Sequence, residues 1–380
     1  MSDLEGELLR RLRDLVAFNT VSSRGNGPLV EYVASVLRPK GWKIRFDGYR
    51  SFGAEKVNLV ATLSAGNAKS KLTELALVAH ADTVPWDPKW RYALCVEERR
   101  GRLYGRGTCD MKGFIAAMLV AVSRLRPANL TKPLAIILTA DEEVGSLGAR
   151  RLAEAGLVQP RHAIVGEPTS LRPMRAGKGY GLVEVTVRGR ESHSACSKLG
   201  VSAILGAARL IGALRKVEAG LVRDRDRFFD PPNTTVNVGA IAGGRAVNMV
   251  PGECRLWLEW RPIPRQAAGG MLARVKDLAA EIEAAERGIK VELRCERLDE
   301  AFTTPSSDPL VRFAEDATGL KAGAVSYVTD AFAMQKLGAS TIIMGPGDIR
   351  NAHRTGEYVR RRELVSAVGL LTTAIGHFCR

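Results

Sequence analysis

Four short apolar runs constrain this chain more than anything else in it: LALVA at 75–79, LAIILTA at 134–140, AIVG at 163–166 and TIIMG at 341–345. Each is too short for an ordinary helix and apolar without alternation, the pattern of a strand covered on both faces in a parallel sheet. Between the first two, MKGFIAAMLVAVSRL (111–125) has the length and residue types of a helix. Strands alternating with helices predict an α/β fold with a mostly parallel central sheet flanked by helices. Upstream, Leu4, Leu8, Leu12 and Leu15 recur at helical spacing, with Leu9 and Val16 alongside. Pro28 then opens a second helix carrying Leu29, Val33, Val36 and Leu37.

The middle of the chain follows another rhythm. GLVEVTVR (181–188), TVNVGAI (235–241) and CRLWLEW (254–260) alternate at period two, as half-exposed antiparallel strands do. Segments 201–217 and 271–285 are amphipathic, the latter with Leu272, Val275, Leu278, Ala279 and Ile282 on one stripe. At 380 residues the chain exceeds what one compact core usually holds. The expected organisation is an α/β domain formed by 1–177 and 299–380, interrupted by an α+β domain at 178–298.

Charge, export signals and cysteines narrow the function classes. Lys plus Arg number 56 against 41 for Asp plus Glu, a net charge of +15, yet the basic residues are scattered and the densest run is only Arg360-Arg361-Arg362. Scattered positive charge is more often a solvated surface than a nucleic-acid footprint. A basic non-catalytic nucleic-acid-binding protein is therefore a minor alternative, and no nucleic-acid partner is expected. The first residues lack the apolar core of a signal peptide, and no run approaches the roughly eighteen apolar residues of a membrane span. The six cysteines form no CxxC pair and read as reduced thiols in a cytoplasmic protein without a membrane partner. No G-x-S-x-G elbow, HExxH helix or GxxxxGK[ST] phosphate loop occurs.

Polar residues follow each buried run at once. LALVA leads to His80, Ala81 and Asp82; LAIILTA to Asp141, Glu142 and Glu143; AIVG to Glu167; TIIM to Gly345-Pro346-Gly347 and then His353. Ligands of open parallel sheets bind beyond the carboxyl ends of the strands, so these residues are expected at one edge. The loop GRLYGRGTCDMKG (101–113) adds Asp110 at the start of a helix. Taken singly, each has an ordinary explanation: Asp110 as a helix cap, Glu142 and Glu143 as solvated surface, His80 as a core imidazole, Glu167 as a strand end. Taken together, carboxylates drawn into one edge repel and lose hydration at several kcal/mol unless a cation joins them. His80, Asp110, Glu143, Glu167 and His353 form a donor set for two divalent metals sharing a carboxylate, with zinc first and cobalt or manganese also suited. Asp82 is placed to accept the other ring N–H of His80. Glu142 remains a free proton carrier.

The ordered segments HADTVP, CDMKG, DEEVGS, GEPT, GRESHS and GPG…AH, spanning 80 to 353, resemble the dinuclear-metal peptidase family of acetylornithine deacetylase, succinyl-diaminopimelate desuccinylase, aminoacylase and glutamate carboxypeptidase. The resemblance implies that His80 and Glu167 hold one metal, Glu143 and His353 the other, and that Asp110 bridges. It implies Glu142 as general base and Asp82 as the partner of His80. It makes 178–298 the lid and dimerisation domain of a catalytic domain formed by 1–177 and 299–380, and His193 matches a lid histidine that reaches across that homodimer to steady the oxyanion. Asn248, Arg261 and Thr329 match substrate-binding positions, the first two gripping a carboxylate. Two departures stand out: Ala79 where Gly or Ser often precedes the histidine, and Cys196-Ser197 after the lid His-Ser.

The implied reaction is hydrolysis of a small-molecule N-acyl amino acid. Segments 139–150, 237–254, SYVTDA and 345–359 are most similar to the deacetylase branch. That implies N-acetyl-L-ornithine giving L-ornithine and acetate in arginine biosynthesis. Val328-Thr329-Asp330-Ala331 departs from the Gly-Thr-Glu-Ala of that branch, so the desuccinylase, or another N-acyl-amino-acid deacylase or carboxypeptidase of the family, is the alternative.

Overall fold

The computed structural model describes residues 3–64 and 71–380. The chain forms two compact units, one of Met1–Arg175, Thr304–Gly323 and Thr329–Arg380, the other of Ala176–Thr303 and Ala324–Val328. The second unit is thus wider than the 178–298 insert expected from sequence. It extends further at both ends and takes in a short later segment.

In the first unit, strands lie in the order Lys43–Ser51, Ala54–Leu63, Leu134–Thr139, Leu72–His80, Gln159–Pro168 and Ser340–Gly345. The last four are mutually parallel and correspond to the four apolar runs. Each side chain of Leu134–Thr139 is buried, which explains why that run shows no alternation. The antiparallel hairpin Lys43–Ser51 and Ala54–Leu63 has no counterpart in the sequence reading. Its first strand is nowhere fully buried and carries no clean apolar pattern. Phe52 and Gly53, both at positive φ, close it as a two-residue turn.

The helix Lys112–Ser123 is buried along its whole length from Lys112 to Val122. It packs against Asp3–Ala17 and Arg361–Cys379. A helix surrounded on all sides loses the polar stripe of a surface helix, hence the nearly uninterrupted FIAAMLVAV. Even Lys112 is fully buried, its ammonium donating to the Phe18 carbonyl at 2.7 Å. Close contact with the sheet depends on Gly166, where an added Cβ would lie 2.1 Å from the Phe114 ring.

The second unit is a four-stranded antiparallel sheet in the order Thr235–Gly243, Glu253–Arg261, Tyr180–Arg188 and Lys290–Asp299. Val183, Val185 and Val187 alternate into a core with Leu256, Leu258 and Trp260. Helices Ala203–Leu221 and Ala268–Ala285 cover that face with Leu210, Leu214, Val275 and Leu278. The buried Trp260 indole donates to the Ala268 carbonyl at 3.0 Å. The strand Lys290–Asp299 escapes a sequence reading because its KVELRCERLD is mostly charged and largely exposed. All six cysteines are free. Among the described residues, no helix is long and apolar enough to cross a membrane.

The Gly166 contact gives a direct test of packing. Gly166→Ala should destabilise the chain by about 1–3 kcal/mol through overpacking, read as a lower urea midpoint, whereas Gly212→Ala, with no atom near its added Cβ, should not.

A candidate dinuclear metal centre

Strand register sets the site. His80 is the last residue of its strand and pairs with Thr139, the last residue of the next. On the other side Val78 pairs with Val165, so Glu167 lies as far past that rung as His80 does. Parallel direction makes all these ends share one edge. The loop after Ser340–Gly345 returns His353 to the same edge, at φ 57.

Asp110 does not cap the helix that follows it. Helix Lys112–Ser123 starts from Met111 without any side-chain cap, and the Asp110–Met111 peptide is cis. The carboxylate is shared instead between two imidazoles. Its Oδ1 lies 3.0 Å from His80 Nε2 and its Oδ2 lies 3.1 Å from His353 Nε2. Glu167 Oε1 stands 3.9 Å from His80 Nε2, and the Glu143 oxygens stand 3.0 and 3.1 Å from His353 Nε2. The donors fall into two groups, His80–Asp110–Glu167 and Asp110–Glu143–His353, each with its ligand atoms within 4.8 Å of one another.

Burial and mutual repulsion disturb every proton in this cluster. Burial and the charge of Asp110 push the carboxyls of Glu143 and Glu167 up. Burial and Glu167 do the same to Glu142. Burial would raise Asp110 as well, but hydrogen bonds from His353 and His80 hold it below the usual carboxylate range. For His80, burial opposes protonation, yet Asp110 and Glu167 raise its pKa well above the ordinary imidazole value. Hydrogen bonds to Asp110 and Glu143 bring His353 to about 10. Without cations, such a cluster can neutralise itself only by taking up protons.

The residues fit divalent metals on observations independent of that charge balance. The donors are imidazole and carboxylate with no thiolate, the set preferred by zinc, cobalt or manganese. Glu167 is 4% exposed and its Oε1 has no hydrogen-bond partner, as expected of an oxygen reserved for a ligand bond.

Around the donors, buried polar contacts fix the turns that carry them. The ring Nδ1 of His80 meets the main-chain oxygen of Asp82 at 3.0 Å, with the Asp82 carboxylate 3.7 Å away. This corrects the expectation that the carboxylate itself is the closest partner. The Asp82 carboxylate accepts from the amides of Glu142 at 3.1 Å and Glu143 at 3.3 Å, and from the Ser22 hydroxyl at 2.7 Å. It therefore aims the acidic turn while remaining within ion-pair reach of the histidine. Glu142 belongs to neither donor group, and its carboxylate accepts from Ser146 at 3.4 Å.

Asp141, at φ 58, pairs with the buried Lys56 at 2.7 Å and accepts from the Tyr49 hydroxyl at 3.1 Å. Lys56 also donates to the carbonyls of Ser22 and Arg24 at 2.6 and 2.8 Å. Asp330 is buried, accepts from the Thr139 hydroxyl, and burial pushes its carboxyl up. Sequence reasoning did not single out Lys56, Asp141 or Asp330 as functional. Asp141 stands in the D-E-E run itself, which was the available signal, whereas Lys56 lies in the hairpin that was missed.

The remaining expected residues occupy other settings. Thr329 is buried, and its hydroxyl accepts from the Ala331 amide at 3.2 Å at the start of helix Ala331–Lys336. This places the Thr329 oxygen in a helix start rather than on an open surface. His193, Asn248 and Arg261 belong to the second unit. His193 is exposed, and its Nδ1 accepts from the Ala195 amide at 3.1 Å. That hydrogen bond assigns the ring proton to Nε2, which makes Nε2 a donor. Asn248 is exposed. Arg261 lies 3.5 Å from Glu259 and stacks on the Tyr180 ring at 5.0 Å.

A parallel sheet that gathers two such donor groups around a shared aspartate is the layout of a metal-dependent hydrolase of amide bonds. Residues 76–377 match the family described as Peptidase family M20/M25/M40. Among curated proteins, the chain is 46% identical to an acetylornithine deacetylase of Myxococcus xanthus, across 100% of this chain and 99% of that protein. It is 34% identical to an acetylornithine deacetylase of Pasteurella multocida, across 96% of each. Among solved structures, a tripeptidase of Staphylococcus aureus shares the fold with a TM-score of 0.76, at 23% identity and across 98% of each chain. The chain belongs to the M20/M25/M40 peptidase family.

The raised pKa values predict how protons and metal compete. Groups whose pKa rises on folding bind more protons folded than unfolded, so their stabilising effect fades as pH increases. For His353 the loss runs from about 6.5 in the unfolded chain to about 10 in the folded one. The metal-free protein should therefore lose stability across that window, read by urea unfolding at a series of pH values. Added zinc should reverse the trend, with proton release seen by calorimetry in buffers of different ionisation enthalpy.

Proposed function

We propose that this chain removes the acyl group from an N-acyl amino acid, with N-acetyl-L-ornithine giving L-ornithine and acetate as the best-supported reaction. The observation that carries the proposal is the pair of three-donor groups sharing Asp110, with Glu142 beside them and outside both. Whole-length similarity to the Myxococcus xanthus protein supports the choice of acetylornithine. His80, Asp110 and Glu167 would hold one divalent cation, and Asp110, Glu143 and His353 a second, zinc ahead of cobalt and manganese. Bound there, two such cations supply an acidified water and a polarised scissile carbonyl.

The rest of the chemistry belongs to side chains. Glu142 takes the water proton and returns it to the leaving amine. Asp82 keeps Glu142 and Glu143 in place through their amides. His193 donates from Nε2 to the developing oxyanion. Arg261 offers a planar fork suited to the substrate carboxylate, with Asn248 beside it in role. Thr329 contributes from its buried helix start.

The exposed edge strand Thr235–Gly243, with Ile241 54% exposed, and Leu205 of helix Ala203–Leu221 at 58% support a homodimer through the second unit. In such a dimer, His193 would serve the partner's site.

Glu142→Gln should abolish turnover while leaving metal content intact; activity within tenfold of wild type would remove Glu142 from the base role. A panel of N-acetyl- and N-succinyl-amino acids, assayed by free amine released with added zinc or cobalt, tests the substrate. A clear preference for succinyl-diaminopimelate would overturn the acetylornithine assignment. His193→Ala should lower kcat about 100–1000-fold, the range for loss of one oxyanion donor. Mixing Glu142→Gln with His193→Ala subunits should restore about a quarter of wild-type activity, since a mixed dimer of two-fold symmetry rebuilds one of its sites. No recovery on mixing would mean that His193 does not act across a dimer.

A further inference from the structure

Arg106 and Glu357 form a buried pair that the proposed reaction does not use. Glu357 is fully buried and Arg106 is 2% exposed. One oxygen of Glu357 accepts from Arg106 Nη1. The other, Oε1, accepts from two successive amides, those of Cys109 at 2.9 Å and Asp110 at 3.1 Å. Arg106 also donates from Nη2 to the Pro85 carbonyl at 3.2 Å, and its guanidinium lies 5.5 Å from the Trp90 ring centre. The Glu357 carbonyl accepts from the Gly105 amide at 3.1 Å. Beyond it, Tyr358–Arg360 pairs with Arg102–Tyr104, closing the glycine loop against this segment.

A loop needs no arginine–glutamate pair buried this deeply merely to stay closed, since taking both groups out of water is costly. What distinguishes this pair is its target. Asp110 has to present its two oxygens to two different imidazoles at once, so a small rotation of its main chain would break both contacts. Glu357 grips that main chain through one oxygen, which accepts from the amide of Asp110 itself and from that of the residue before it. The same short segment, 353–357, supplies His353 to Oδ2 of Asp110. One element therefore carries a donor of the second group and the clamp on the donor common to both.

We infer that Glu357, balanced by Arg106, is a positioning residue that fixes Asp110 as the shared ligand and couples the two donor groups, so that two cations bind cooperatively. The inference rests on the metal-centre reading above.

Cobalt titration, followed by visible absorbance, tests it with two variants. Glu357→Gln keeps the shape and loses the charge; the double variant Arg106→Met with Glu357→Gln also removes the cation that would be left unpaired. Cobalt affinity should fall about 10–100-fold, the usual effect of losing a residue that orients a ligand, with a changed cobalt spectrum and weaker cooperativity. In activity, kcat per folded molecule, with the folded fraction taken from circular dichroism, should fall with KM within about twofold of wild type, whereas a mere loss of stability would leave kcat per folded molecule unchanged. Wild-type cobalt affinity and spectrum in either folded variant would overturn the inference.

Hydrogen–deuterium exchange on the unmodified metal-free chain gives a readout that needs no variant. The amides of Cys109 and Asp110 should be protected like those of the parallel strands, and fast exchange there would refute the clamp. If the wild-type chain bound no cobalt at all, the metal-centre reading would fall, and exchange alone would decide the clamp.

Discussion

Crowded negative charge at one edge of a sheet is the constraint that organises the first unit. Asp82, Asp110, Asp141, Glu167 and Asp330 are all buried there, with Glu142 and Glu143 partly so. Side chains that would repel in isolation are held by fixed backbone donors and, at Asp141, by a buried lysine. Lys56 answers Asp141, and the amides of Glu142 and Glu143 answer Asp82. The carboxylates of Asp110, Glu143 and Glu167 meet there with His80 and His353, and divalent metals are the natural complement of that set. The surrounding apolar core supplies the stability against which this concentration of charge is held.

Much of this was readable in the sequence because local pattern and long-range placement agree. A strand buried on both faces must be apolar throughout, so LALVA and LAIILTA declare themselves, and parallel direction then forces their polar successors together. Asp110 was legible for another reason: a glycine-rich loop sets it at the start of an apolar helix, and CDMKG carries part of the family resemblance. The hairpin Lys43–Ser51 and Ala54–Leu63 was not legible, since its outer strand shows no clean period and is specified by pairing rather than by burial. Lys56 was hidden with it. A lone lysine in a strand looks solvated until the tertiary fold brings Asp141 to it.

The same limit explains Asp82. Its position two residues after His80 suggests a partner for the imidazole, but sequence spacing cannot rank a residue's main-chain oxygen against its carboxylate. In the folded chain the carbonyl takes the ring and the carboxylate is released to hold the neighbouring turn. In the second unit, three strands announced themselves by alternation, whereas Lys290–Asp299 did not. An edge strand of charged residues follows the sheet by backbone hydrogen bonding and leaves little hydrophobic trace.

The two donor groups differ in shelter. His80 has a side chain only 1% exposed, whereas the side chain of His353 is 49% exposed. His80 and Glu167 would hold an ion among buried side chains, while His353 would hold one from a side chain half open to water. Their exchange kinetics should then be unequal, with the outer ion trading readily with solvent and chelators and the inner one dwelling as a long-lived resident.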